Sequence, residues 1–281
     1  MNSSFQLPLL DAPAAVCRHR GLVSRLLDKA QARGRLVVSV DELVASSKLT
    51  PLAVKRQLEH VAERVTRLSG RPSSYLIVPP EHRAGGAPPM DSWLGDYFRL
   101  REQPYYLGLL SAAAMHGSSQ QAVQVTQVMT LLPVRPMQVG RLRIEFHVKA
   151  SLERTPLTEL GGLAAPLAVS SPEATALDLV AFNQSIGGTE RAAEVILGLL
   201  PTMSAAGLRQ ALVAESKVTV KQRLGYIFEI LGATKLASVV EASLPARTMR
   251  ILLQLAAPST SASVIAPWGV VDNIELKAKL S

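Results

Sequence analysis

The stretch Ser39–Val78, SVDELVASSKLTPLAVKRQLEHVAERVTRLSGRPSSYLIV, decides the reading of this chain. Ser39, with Glu42 three residues on, predicts a capped helix start whose buried face is Val40, Leu43 and Val44. Ser46-Ser47-Lys48-Leu49 is a turn. Thr50-Pro51 opens a second helix: a hydroxyl N-cap, then a proline whose missing N–H is no loss at the first helical position. Val54, Leu58, Val61 and Val65 recur as one narrow apolar stripe, so Lys55, Arg56, Gln57, Glu59, His60 and Glu63 point outward or to the flanks. Val65–Leu68 and Tyr75–Val78 read as two strands, and Arg67 and Arg71 stand at the tip of the hairpin between them.

Upstream, Pro13–Arg33 has helical periodicity, with Val23, Leu26, Leu27 and Ala30 on one face and Gly34 as its stop. Leu36-Val37-Val38 is a short strand. Helix, strand, helix, helix, hairpin is the order of a winged helix-turn-helix, which implies duplex DNA as a target. A helix in the major groove presents its N-terminal half to base edges. Arg pairs guanine O6/N7 and Gln pairs adenine N6/N7, so Arg56, Gln57 and His60 are the candidate base readers. Lys48, Thr50 and Lys55 are placed for phosphates, and Arg67, Arg71 and Ser73 of the wing for phosphates or the minor groove. The competing reading is a solvated helix face, with Glu59 and Glu63 paired to Lys55 and Arg56 at helical spacing. The basic hairpin weighs against it, as it weighs against a winged helix that only docks proteins.

Charge distribution points the same way. The net charge of the 281-residue chain is +8, and Met1–Pro80 holds twelve basic and six acidic residues, six of those eight charges. A polyanionic partner therefore belongs to the N-terminal region. Cys17 is the only cysteine, which excludes an internal disulfide and a cysteine metal site and suits a reducing cytoplasm. Met1–Phe5 lacks the start of a signal peptide, and no apolar run is long enough to span a membrane. Scarce aromatics and abundant Leu, Val and Ala favour helices. The fold expected is α+β and mainly helical: residues 1–80 a winged helix-turn-helix, 81–91 a Pro/Gly-rich linker, 92–281 a larger mixed α/β domain.

In that larger part, Asp91–Arg99 reads as a helix with Trp93, Leu94, Tyr97 and Phe98 on its apolar side. Tyr105–His116 reads as a buried helix, Val123–Leu131 as β-rich, and Leu142, Ile144, Phe146 and Val148 as one face of a strand. Leu167–Val169 is a further short strand. Ser171-Pro172 opens a helix through Phe182, followed by helices at 190–200, 205–214, 217–231 and 233–242. A strand pair is expected at 268–271 and 274–280.

Tyr105-Tyr106-Leu107, Ser111-Ala112, His116-Gly117, Val128-Met129-Thr130, Ile144-Glu145-Phe146 after Arg141, Val169–Thr175 with Asp178-Leu179, and Arg223-Leu224-Gly225-Tyr226 together resemble the AbiEi antitoxins of type IV toxin–antitoxin (abortive infection) systems. The resemblance implies a cytoplasmic transcriptional autorepressor. Its N-terminal domain would bind double-stranded DNA in its own promoter, and its C-terminal domain would counter a nucleotidyltransferase toxin. The alternative is a winged-helix regulator of another kind, with a ligand- or protein-binding C-terminal domain. No enzyme and no cofactor are expected. Gly187-Gly188-Thr189-Glu190 lacks the second carboxylate of a nucleotidyltransferase and reads as a Thr-capped helix start. His116 reads as a helix C-terminus, and Ser170-Ser171 near Asp178 as a cap. Arg141 and Arg143 lie on an exposed strand face.

Overall fold

The computed structural model describes residues 21–68, 70–118, 125–160, 167–258 and 263–280. Cys17, the first part of the helix expected from Pro13, Ser69 of the hairpin tip, and Val123 lie outside the described residues. The chain divides into two compact units, the first ending at Pro88 and the second beginning at Pro89.

In the first unit, α1 (Leu22–Gln31) is followed by β1 (Val37–Ser39), α2 (Val40–Ser47), α3 (Pro51–Glu59), β2 (Val65–Leu68) and β3 (Ser74–Ile77). The strands form an antiparallel sheet in the order β1-β3-β2. Leu27, Val54, Leu58, Leu68, Leu76 and Ile77 are its fully buried centre. Ser39 accepts the Glu42 N–H at 3.0 Å and caps α2. The second half of the expected capping box is absent, because the Glu42 carboxylate instead takes a bidentate pair from Arg35 at 2.6 and 2.9 Å, the stronger of the two available bonds. The Pro/Gly-rich stretch holds 3₁₀ turns at Pro80–Gly85 and Met90–Ser92.

The second unit contains α4 (Leu94–Arg99), β4 (Tyr105–Leu107), α5 (Leu109–Met115), β5 (Val125–Thr130), β6 (Met137–Val139), β7 (Leu142–Val148), β8 (Leu157–Leu160) and β9 (Leu167–Ser170). After these come α6 (Pro172–Ala181), α7 (Thr189–Leu199), α8 (Ala205–Ala214), α9 (Val218–Ile230), α10 (Thr234–Glu241), β10 (Ile251–Leu252), β11 (Val270–Val271) and α11 (Leu276–Lys279). A mixed six-stranded sheet runs β6-β7-β5-β4-β9-β8, with β4–β9 and β5–β7 parallel. The helices build one apolar core with Trp268, Val270 and Leu276. Each large side chain buried there is worth about 1.5–3 kcal/mol.

Tyr105–His116 is not one helix. Tyr105–Leu107 is a central strand of the sheet, and the helix starts after Gly108. An apolar run fits a buried strand as well as a buried helix, and the turn between them is what separates the two. A Cβ on Gly108 would sit 2.5 Å from Met129 Cγ, so only glycine admits β5 here. Leu109 then takes φ +53°, a conformation costing about 1–3 kcal/mol in a non-glycine residue. It is held there by full burial and by Gln127, whose side chain accepts the Leu110 N–H at 3.0 Å. The strand pair expected near the C-terminus is also absent: β11 pairs in parallel with β10, and the segment after it is the helix α11.

The Arg223–Tyr226 motif explains how that C-terminal segment is held. Arg223 Nε donates to the Leu252 carbonyl at 3.0 Å, and Tyr226 O–H donates to Asp272 at 2.9 Å. Gly225 leaves room for the indole of Trp268, where a Cβ would lie 2.0 Å from the ring. Beside the motif, Gln222 donates to the Met249 and Trp268 carbonyls at 2.7 and 2.6 Å. Gly225→Ala should therefore destabilise the chain by about 1–3 kcal/mol through overpacking, read from urea unfolding. Gly85→Ala, with open space around its Cβ, should change stability by no more than about 0.5 kcal/mol.

Candidate functional site

Helix α3 begins at Thr50, whose hydroxyl accepts the Ala53 N–H at 3.3 Å, with Pro51 in the first turn. Before it, Lys48 ends α2 in the left-handed conformation at φ 58°, so the chain reverses within three residues. Lys48, Thr50, Lys55, Arg56 and His60 are exposed along the turn and α3. Arg67 is exposed on β2 and Arg71 on the hairpin tip. Among the described residues, Lys48, Lys55, Arg56, Arg67 and Arg71 form no ion pair. The helical Lys/Arg–Glu pairs of the competing reading do not form.

Other basic residues of the unit are engaged internally. Arg64 donates to Ser24 Oγ at 2.7 Å and pairs with Asp28, fastening α1 to the start of β2. Arg35 is held by Glu42. Position in the chain does not separate these two from the five exposed cations; partners do.

Two expected contacts differ in the structure. Gln57 is half-buried, and its Oε1 accepts the Val23 N–H at 3.1 Å. Helix α1 begins at Gly21, which has no capping side chain, and Gln57 supplies the missing acceptor from across the unit. Ser73 is half-buried at the base of the hairpin loop, and its carbonyl accepts the Val40 N–H at 2.9 Å. Sequence reasoning passed over Leu52, which is 59% exposed near the start of α3. Its signal was present: it falls outside the Val54–Leu58–Val61 stripe and precedes Arg56 by one turn.

In the second unit the groups that could suggest catalysis have structural partners. Asp178 is fully buried, salt-bridged to Lys149 at 2.7 Å and receiving the Tyr106 O–H at 2.8 Å. Burial pushes the Asp178 carboxyl up, while Lys149 and Tyr106 pull it back. Tyr106 is itself raised, first by burial and then by Asp178. His116 ends α5 and its Nε2 lies 2.7 Å from the Ser170 carbonyl. Ser171 caps α6. Ser204 caps α8, its hydroxyl accepting the Gly207 N–H at 3.0 Å, and Glu173 holds that cap by accepting the Ser204 N–H at 2.7 Å. The Gly187-Gly188-Thr189 turn does start a helix, but the cap is not Thr189: its N–H is taken at 3.2 Å by Gln254. Arg143 pairs with Glu145 at 3.0 Å, leaving Arg141 exposed. No helix among the described residues is long and apolar enough to cross a membrane.

Comparison with known proteins bears on the second unit. Residues 106–230, from β4 to the end of α9, match the family model described as AbiEi antitoxin C-terminal domain. No curated protein matches the chain. Among solved structures, the RV2827C protein from Mycobacterium tuberculosis is similar at a TM-score of 0.64 and 15% identity, over 92% of this chain and 94% of that one. That likeness is one of fold.

Two outcomes follow from these bonds. Gln57→Ala should cost about 1 kcal/mol in urea unfolding, as loss of a helix cap does, and leave any preference for adenine in a bound duplex unchanged. Lost adenine preference would return Gln57 to the base readers. Lys149→Met removes the cation and leaves burial to raise the Asp178 carboxyl against the Tyr106 hydroxyl alone. The folded chain then holds that proton above the unfolded value of about 3.9. Its stability is greatest below that pH and falls as pH rises towards the folded value, at up to about 1.4 kcal/mol per pH unit. The deficit of Lys149→Met against the parent chain should therefore be larger at pH 8 than at pH 5.

Proposed function

We propose that this chain, whose residues 106–230 match the AbiEi antitoxin C-terminal domain, is a DNA-binding antitoxin that represses its own promoter through the N-terminal unit and counters a nucleotidyltransferase toxin through the C-terminal one. The antitoxin role in a type IV toxin–antitoxin system is supported by that match. The observation that carries the DNA-binding reading is the set of five exposed cations on the α2–α3 turn, α3 and the hairpin that form no ion pair among the described residues, in a unit with the element order of a winged helix.

In this reading α3 enters the major groove. Arg56 pairs guanine O6/N7, His60 reaches a neighbouring base or phosphate, and Leu52 packs on a thymine methyl. Lys48, Lys55 and the Thr50 hydroxyl, whose oxygen already accepts from Ala53 and whose proton is free to donate, contact phosphates. Arg67 and Arg71 carry the wing to the flanking backbone or the minor groove. Affinity comes mainly from released counterions, and repression from occupying the promoter, which places the protein in the cytoplasm. Gln57 and Ser73 act by holding the unit in shape.

Mobility shift with a duplex spanning the chain's own promoter, at several salt concentrations, tests this. Arg56→Ala and Arg71→Ala should each weaken binding, and Arg71→Ala, which loses a backbone contact, should lower the log–log salt slope by about one. Arg56→Ala should also relax discrimination at one base pair, and Arg71→Ala should not. Promoter binding unchanged in both variants would sink the assignment.

A further inference from the structure

Helices α8, α9 and α10 enclose an open groove of about 860 Å³. Arg209, Leu212 and Val213 are spaced i, i+3, i+4 and share one face of α8; Lys235 and Val239 share one face of α10; Lys221 enters from α9. The lining is aliphatic and cationic with two serines, Ser238 and Ser243, and no aromatic or acidic side chain among the described residues. Leu212 is buried, whereas Val213 is 84% exposed. None of the three cations forms an ion pair among the described residues. The one carboxylate acting on Lys221 is Glu215, which is buried and accepts the Lys217 N–H at 2.7 Å.

A singly exposed valine is ordinary. An aliphatic trough between two helices, with three unpaired cations on it, is a recognition surface with a stated polarity. We propose that this groove docks an acidic amphipathic helix of a partner protein, its aliphatic side chains lying on Leu212, Val213 and Val239 and its carboxylates meeting Arg209, Lys221 and Lys235. Two stripes at helical spacing match the i, i+3, i+4, i+7 anchors of a helix laid in a groove. The three cations select acidic flanks and reject basic ones. A nucleic acid strand is disfavoured by the aliphatic floor, which offers no ring for base stacking. A second copy is disfavoured because a two-fold contact would set the same three cations against one another across the groove. The proposal is independent of promoter binding, which uses the other unit.

The test is fluorescence anisotropy of the full chain with a labelled helical peptide of about 18 residues, Leu at i, i+3, i+4, i+7 and Glu elsewhere. A second peptide carries Lys in place of Glu, and a third has the first composition with the spacing scrambled. The acidic periodic peptide should bind saturably, and the other two at least roughly tenfold more weakly. The double variant Arg209→Glu/Lys235→Glu, and separately Val213→Asp, should each weaken that binding by roughly tenfold or more. All three positions are exposed, so circular dichroism should be unchanged. Arg56→Ala/Arg71→Ala should bind the peptide like the parent chain. Absent saturable binding, equal affinity for the scrambled peptide, or loss that follows Arg56 and Arg71 instead of Arg209 and Lys235 would each overturn the proposal. So would promoter binding that falls with Arg209→Glu/Lys235→Glu, or a dimer in light scattering that Val213→Asp dissolves.

Discussion

A single buried charge organises the C-terminal unit. Asp178 has no exposed surface, and an ionised carboxylate in such a place is tolerated only with a cation and a donor at bonding distance. Lys149 and Tyr106 supply both, and each comes from a different part of the fold. Tyr106 lies in β4, Lys149 follows β7, and Asp178 is in the middle of α6. An apolar face alone would let α6 slide on the sheet at small cost, since hydrophobic burial is not directional. The three-group cluster is directional and has one solution. It fixes which turn of α6 lies over which strand, and the cap at Ser171 and the hold of Glu173 on Ser204 follow from that placement.

A second tie runs from α9 to the C-terminal segment. Arg223, Gly225 and Tyr226 each make a different kind of contact there: a donor to a carbonyl, a space for an indole, a donor to a carboxylate. Asp272 in turn accepts the Leu276 N–H at 2.9 Å and starts α11. The motif thus reads as a docking strip for the segment beyond it. Burial lowers the affinity of Arg223 for its proton, and it forms no ion pair among the described residues. Its Nε bond to a backbone carbonyl is what compensates.

Periodic helices were legible in the sequence nearly to the residue. Val218–Ile230 and Ala205–Ala214 fall where their apolar spacing places them, because packing and local propensity agree there. The failures share one cause. Tyr105–Leu107 and β6 take their strand character from neighbours far along the chain, and a short apolar run carries no mark of those neighbours. Glu42 and Gln57 failed in the same way. Glu42 had a local partner at Ser39 but found a charged one in Arg35, and Gln57 looked outward on the helix but met an uncapped amide of α1.

Counting charge along the chain has the same weakness, and in both directions. Twelve basic residues in the first eighty overstate the free cations of that region, because Arg35 is paired with Glu42 and Arg64 with Asp28. The near-neutral remainder understates what the second unit presents. Three of its carboxylates are drawn inward, Asp178 to Lys149, Glu173 to Ser204, Glu215 to Lys217, while Arg209 and Lys235 stay at the surface. Burying acids as caps and ion-pair partners leaves a neutral domain with a locally positive face. Electrostatic recognition depends on that local face, since charges more than about 10 Å apart are screened from one another at ordinary ionic strength.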